Sequence, residues 1–371
     1  MNKKRAIVVG CGFGGVAAAR ELARHAATLD IVAFNRTPVL YNYPILPRLL
    51  LADVAASQID IPLSTLLDSA SVALHTQRVE AIDLPRAQLS TDNEVFAFDY
   101  LILAPGSRAI PIDQDDGFMV YYPKAARHLT RLREEIKALC SQASIAEHNH
   151  RFVVVGGGLT GIEFAAGLRI ALNRLCSTHR RNPRSVTVTL LEQQQRIAPA
   201  CHPRLSRRLA RQLDHLHIDV ETGCAVRHIA HDHLQTTSGI VPADRVLCCI
   251  GSKPDLRLSL NGFDQQNGGL PVLPTLQLAD AENVFVVGDA IKSNTPAYQE
   301  TKRASHAIRQ GKAAARNLVR LLSAKSLKPY AHPELPALVS LGMDYAMMEY
   351  RGYCAGGVLP ARLKHYLETR S

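Results

Sequence analysis

Residues 5–15 read RAIVVGCGFGG, and residues 151–163 read RFVVVGGGLTGIE. Each stretch is an apolar, β-branched run that breaks into glycines and then into a small-residue helical pattern. Gly10, Gly12 and Gly15 keep GxGxxG spacing, and so do Gly156, Gly158 and Gly161. In such a turn the first glycine allows the tight reversal. The second lets backbone approach a pyrophosphate, and the third lets helix and strand pack closely. The pyrophosphate then meets unpaired N–H groups and the positive end of the helix dipole. Phe13, Gly14 and Thr160 complete the candidate phosphate loops. Two such loops in strand–turn–helix context predict an α/β chain with two Rossmann-like units. They suit an arrangement that passes electrons from a nicotinamide to a flavin.

A ribose-binding acid is expected at the end of the strand after each loop. After the second loop, residues 185–192 read SVTVTLLE and end on Glu192. A carboxylate there repels a 2′-phosphate, so NADH is favoured over NADPH, although Arg196 stands close by in sequence. After the first loop the strand ends on Asn35, whose amide can still bond a ribose hydroxyl. Arg36 follows, either to stack on an adenine or contact phosphate, or as a solvated surface group.

The wider chain bounds these readings. A length of 371 residues predicts two or three domains. The apolar runs are short and interrupted, which argues against a transmembrane helix. The opening MNKKRAIVVG runs directly into a strand, and this predicts a cytoplasmic protein. Eight cysteines show no CxxC pair, and no Cys/His spacing marks a metal site. The histidine-rich HIAHDH, residues 228–233, reads as a polar hairpin. Net charge is +10, with basic segments at 179–184 and 204–211. No nucleic-acid module accompanies that charge. Anionic lipid headgroups are the functional reading of it, and solvated helix faces are the plain one.

The expected wiring is interrupted. Residues 1–118 hold the first dinucleotide unit, including a buried strand and turn with Ala104 and Gly106. Residues 119–262 hold the second, from a charged connector helix to the run ending near Gly251. Residues 263–325 return to the first unit: VFVVGDA, ending in Gly288 and Asp289, supplies a strand that the first sheet lacks. Residues 326–371 form a tail of short strands and a basic amphipathic helix, VLPARLKHYLETRS.

These landmarks, in this order and over essentially the whole chain, resemble the FAD- and NAD(P)-dependent pyridine nucleotide-disulphide oxidoreductases. Within them the chain looks most like the type II NADH:quinone oxidoreductases, peripheral membrane enzymes related to the sulfide:quinone reductases. Four features carry the resemblance. Residues 42–54, with Pro47, match the proline-punctuated segment beside the flavin. The second loop continues into Glu163, the position of the family's glutamate near the nicotinamide. Asp289 matches the aspartate that bonds the flavin's ribitol or phosphate region. The final helix matches the segment that touches the membrane near the quinone.

The resemblance implies FAD and NADH as cofactors, a quinone or other small acceptor, and a peripheral location on the inner face of the cell membrane. A homodimer stays open. Lys302, His306 and Gln310, at spacing four, are candidates for one helix face offering acceptor contacts or protons, and Lys364 is another. Departures are specific. The first unit has no CxxxxC, and the second loop, GGGLTGIEF, carries no cysteine, so disulphide and sulfide chemistry are disfavoured. The helix after Asp289 reads ASHAIRQG where quinone enzymes show AQxAxQQG. A soluble NAD(P)H-dependent reductase with a protein, sulfur or selenium acceptor is therefore the alternative. A slow redox sensor is a third reading.

Overall fold

The computed structural model describes residues 3–51, 54–141, 149–261, 268–292 and 302–370. Two sheets organise it. The first has six strands in the order Gln277–Leu278, Ala281–Val286, Tyr100–Leu103, Lys4–Val9, Leu29–Asn35, Ala73–Thr76. All neighbours are parallel except the Gln277–Leu278 edge. Ile7 and Val8 are fully buried, as a parallel strand covered on both faces requires. Helices Phe13–Ala23 and Ala304–Leu322 cover one face, and their apolar residues share a core cluster with Ile102 and Phe285. A four-stranded sheet that includes Val79–Asp83 and Gln88–Thr91 covers the other.

The second sheet is wholly parallel, in the order Val120–Tyr121, Arg245–Cys248, His150–Val155, Val186–Glu192, Asp219–Thr222. Helices Ala126–Ser141, Leu159–Thr178 and Pro203–His215 bury their apolar faces in one continuous core beside it. Residues 228–233 fall in an antiparallel three-stranded meander, so that segment is the hairpin its polarity suggested.

The strand near residue 286 pairs where the first sheet needs it: Val284, Phe285 and Val286 lie against Leu101, Ile102 and Leu103. The second sheet is thus inserted into the first unit. Gly311 makes this closure tight, because a Cβ there would lie 2.1 Å from the carbonyl oxygen of Gly14. Small residues on both helices let their backbones touch.

Residues 43–50 carry two prolines, Pro44 and Pro47. They form a 3-10 helix, Tyr43–Leu50, because Pro47 has no N–H for an i→i−4 bond. Ile45, Leu46 and Leu49 are buried against the second unit, and the Pro47 carbonyl sits over Gly167. The tail forms a three-stranded antiparallel sheet, Ala337–Ser340, Ala346–Tyr350 and Tyr353–Gly357, followed by helix Val358–Arg370.

Candidate active site

The glycines of the first loop divide by what surrounds them. Gly10 has φ +90°, and a Cβ there would lie 2.2 Å from the Ala104 carbonyl oxygen. A Cβ on Gly15 would lie 1.8 Å from the carbonyl oxygen of Gly10. These two close the turn. A Cβ on Gly12 would meet nothing within 4 Å. Gly12 therefore faces open space at the N-terminus of helix Phe13–Ala23, where first-turn N–H groups lack intrahelical partners. The second loop repeats the pattern. Cβ atoms on Gly156 and Gly161 would strike Cys249 and Gly156 backbone at 2.6 and 1.8 Å, while Gly158 opens outward. Two cradles of the same build, each with donors aimed outward, fit a dinucleotide pyrophosphate.

The residues expected to reach for ribose point toward their own loops. Glu192 is buried; its Oε2 accepts the Gly157 N–H at 2.7 Å and its Oε1 the Gln194 N–H at 2.8 Å. Asn35 Oδ1 accepts the Cys11 N–H at 2.9 Å, and its amide nitrogen donates to the Thr37 carbonyl at 2.8 Å. Arg36 is exposed and lies 3.8 Å from Asp255. Gly251 faces open space with φ +103°.

A cavity of about 620 Å³ starts at the Gly12 cradle. It passes Asn35 and Arg36, then Pro47, then the turn at Ala104 and Gly106. It reaches Gly288, Asp289 and Lys302, and Thr160 and Glu163 from the second unit. Its far end is lined by Leu338, Lys364, Leu367 and Glu368 from the tail.

Two charged clusters stand in it. Asp289 Oδ2 accepts the Ser107 hydroxyl hydrogen bond and lies 3.5 Å from Lys124 Nζ, which also donates to Ser107 Oγ. Burial holds the Lys124 ammonium below its usual range, against the pull of Asp289. Lys124 also sits 5.3 Å over the Tyr43 ring. At the far end, Lys364 Nζ pairs with Glu163 Oε1, which also accepts the Ser340 N–H at 2.9 Å. Glu368 lies 3.6 Å from Lys364. Burial pushes the Glu368 carboxyl up to about 7, with the Glu163 charge adding to it against the pull of Lys364.

The cavity thus brings together Glu163 and Lys364, which are 201 residues apart in the chain. It does not bring together the three residues read as one helix face. The helix begins at Ala304, so Lys302 precedes it, and its Nζ donates to the Ser252 carbonyl at 2.5 Å. His306 and Gln310 are buried and do not line the cavity. Gln310 Oε1 accepts the Gly288 N–H at 2.8 Å, which fixes the Gly288–Asp289 turn from behind. His306 stacks on His332 with ring centroids 4.1 Å apart, and burial lowers its pKa to about 4. The acceptor-contact reading of His306 and Gln310 is corrected accordingly: spacing four placed them on one face, but that face is the one packed inward.

Ser107, Lys124 and Glu368 were not read from the sequence. Lys124 follows a proline at the entry to the second unit, and Glu368 is one acid in a basic tail. Only Glu368 carried a local signal, its i,i+4 spacing from Lys364.

Residues 4–311 match the family model described as pyridine nucleotide-disulphide oxidoreductase. The type II NADH:quinone oxidoreductase of Staphylococcus aureus (strain NCTC 8325 / PS 47) is 23% identical over 390 aligned residues, covering 100% of this chain and 95% of the relative. Ferroptosis suppressor protein 1 of Xenopus laevis is 28% identical over 357, covering 95% and 90%. The structure of NDH2 from Plasmodium falciparum in complex with NADH superposes with a TM-score of 0.83 at 14% identity, covering 99% of this chain and 98% of that one. The glycine loops, the closing strand and the Gly288–Asp289 turn all lie inside the matched span, and the chain belongs to the pyridine nucleotide-disulphide oxidoreductase family.

Proposed function

We propose that the protein is an FAD-containing NADH:quinone oxidoreductase that works at a membrane surface. One observation carries this reading: a single cavity runs from the first glycine cradle to a lysine–carboxylate cluster on the C-terminal helix. Gly12, Ser107, Lys124 and Asp289 would hold FAD. Gly158, Thr160 and Glu192 would hold NADH, with the Glu192 carboxylate disfavouring a 2′-phosphate. FAD, when bound, supplies the two-electron relay between nicotinamide and acceptor.

The chain's own residues then have separable tasks. The outward N–H groups at Gly12 and Gly158 offset pyrophosphate charge. Lys124 and Ser107 orient Asp289, and Gln310 holds the turn that presents it. Lys364 offers a hydrogen bond to an acceptor carbonyl, and Glu163 fixes its position. Glu368, which titrates near neutrality, holds a proton beside Lys364. Leu338 and Leu367 give the same end an apolar lining.

A quinone suits this site better than a sulfur acceptor. Cys11 is the one cysteine among the cavity's described lining residues, and burial pushes its thiol up to about 12, where it is a poor nucleophile. The peripheral location draws support from exposed Leu359, Leu363 and Tyr366 on the final helix, and no described helix is long and apolar enough to cross a membrane.

The test is anaerobic. NADH should bleach the visible absorption band of the oxidised flavin, and a short-chain ubiquinone or menaquinone analogue should restore it faster than oxygen. Absent bleaching rejects the dehydrogenase reading. Bleaching with no quinone-driven recovery rejects the acceptor.

A further inference from the structure

The basic helix Pro203–His215 has no part in the cavity, and its charge is organised. Arg204, Arg207, Arg208 and Arg211 fall at i, i+3, i+4 and i+7, one face of the helix. They line a groove of about 330 Å³, and its opposite wall is the hairpin turn Gly352–Tyr353–Cys354. Among the described residues no carboxylate lines it. The groove is braced: the Arg208 guanidinium donates to the Cys354 carbonyl at 2.7 Å, and a Cβ on Gly352 would lie 3.3 Å from His202 Nε2.

We propose that this groove binds the phosphate headgroups of an anionic bilayer. It would seat the nicotinamide-binding half on the same surface as the final helix. The inference rests on the membrane-surface reading above and adds a second, electrostatic point of attachment. Guanidinium forks match phosphate oxygens in geometry as well as charge. Continuity with the apolar stripe selects a bilayer over a free anion. The strand Tyr353–Gly357 leaves the groove and runs directly into helix Val358–Arg370. Tyr353 is 82% exposed at the groove's edge, and Leu359, at 78%, begins the outward stripe completed by Leu363 and Tyr366. Arginines at headgroup depth, a tyrosine between, and leucines toward the acyl boundary reproduce the layering of an interfacial surface. A second attachment point would fix orientation, where a single short helix would leave the protein free to swivel.

The experiment uses the full-length flavin-loaded protein and sedimentation with vesicles of phosphatidylcholine, alone or mixed with phosphatidylglycerol. Wild type should prefer the phosphatidylglycerol vesicles and release them in high salt. R207Q/R211Q, which leaves the Arg208 brace intact, should bind them about tenfold or more weakly. Its NADH oxidation with a soluble quinone analogue should stay unchanged. That activity reports folding, and it separates failure of the headgroup site from failure of the proposed reaction. Equal binding by wild type and R207Q/R211Q overturns the proposal, and so does loss of binding in L359S/L363S alone. Stabilisation of wild type by inorganic phosphate without vesicle binding would assign the groove to a free anion and overturn the lipid.

Discussion

Asn35 holds the first glycine loop through the backbone of Cys11, as Glu192 holds the second through Gly157: 2.9 Å in one, 2.7 Å in the other. An amide and a carboxylate thus do one structural task at equivalent places. Removing either strands a loop N–H. N35A should lose about 1–3 kcal/mol of stability, the cost of an unsatisfied donor. N35D keeps the acceptor for Cys11 but sets a carboxylate oxygen against the Thr37 carbonyl, to which the amide donates at 2.8 Å, so it too should melt below wild type. Thermal unfolding of both variants decides it; equal melting of N35A and wild type would show that the bond contributes nothing.

The glycines separate folding from binding. G12A places its methyl in open space, so the flavin-free protein should melt as wild type does while its retention of flavin during gel filtration falls. G15A and G311A drive a Cβ into backbone at 1.8 and 2.1 Å. Both should lose several kcal/mol, as overpacked cores do. Flavin content and melting temperature, measured on all three, should sort them into these two groups.

Glu368 and His306 give the protein opposite pH slopes. A carboxyl raised to about 7 favours the folded state fully at low pH. That contribution fades as pH rises from the ordinary glutamate range through 7, by up to about 3 kcal/mol. E368Q should therefore flatten the loss of stability on the alkaline side of pH 5. His306, lowered to about 4, acts the other way: its contribution is complete above the ordinary histidine range and fades as pH falls toward 4. H306F should blunt that acid-side loss without changing quinone turnover. Melting temperature against pH for each variant checks the signs.

Lys124 and Asp289 should be coupled. K124M leaves the half-buried Asp289 charge without its cation. D289N removes the need for one, so K124M/D289N should be more stable than the sum of the single changes predicts. A double-mutant cycle by urea unfolding should give a coupling of about 1 kcal/mol. Zero coupling would place the pair among contacts with no energetic role.

K364A should lower turnover with quinone at least tenfold and leave the rate of flavin bleaching by NADH near wild type. Stopped-flow separates the two half-reactions. Equal slowing of both would move Lys364 from the acceptor end to the nicotinamide end.

Much of the fold was legible because its signals are local. β-branched runs, glycine spacing and the VFVVGDA strand each specify backbone over fewer than a dozen residues. The glycine cradles were legible for the same reason. The side-chain clusters were not. Ser107, Lys124 and Asp289 meet only after three separate segments have packed, and no periodicity encodes that. The face carrying His306 and Gln310 shows the limit from the other side: spacing gives a shared face, but burial decides whether that face looks at ligand or at core. Glu192 and Asn35 were placed correctly at strand ends, while the inward turn of their side chains depended on loop N–H groups that sequence does not display.

The interruption of the first sheet by the second has a consequence for synthesis. All five strands of the second sheet have been made by Cys248, while the first still lacks Ala281–Val286 and the helix that seats Gly311 on Gly14. As the chain emerges, the insert can reach its native pairing while the unit that surrounds it waits half-built, with Leu101–Leu103 uncovered along one edge. Released chains truncated after residue 260 should carry a protease-resistant insert and a sensitive N-terminal unit. Late nonsense mutations would then leave a folded remnant with an exposed β-edge, a template for aggregation rather than a weak enzyme.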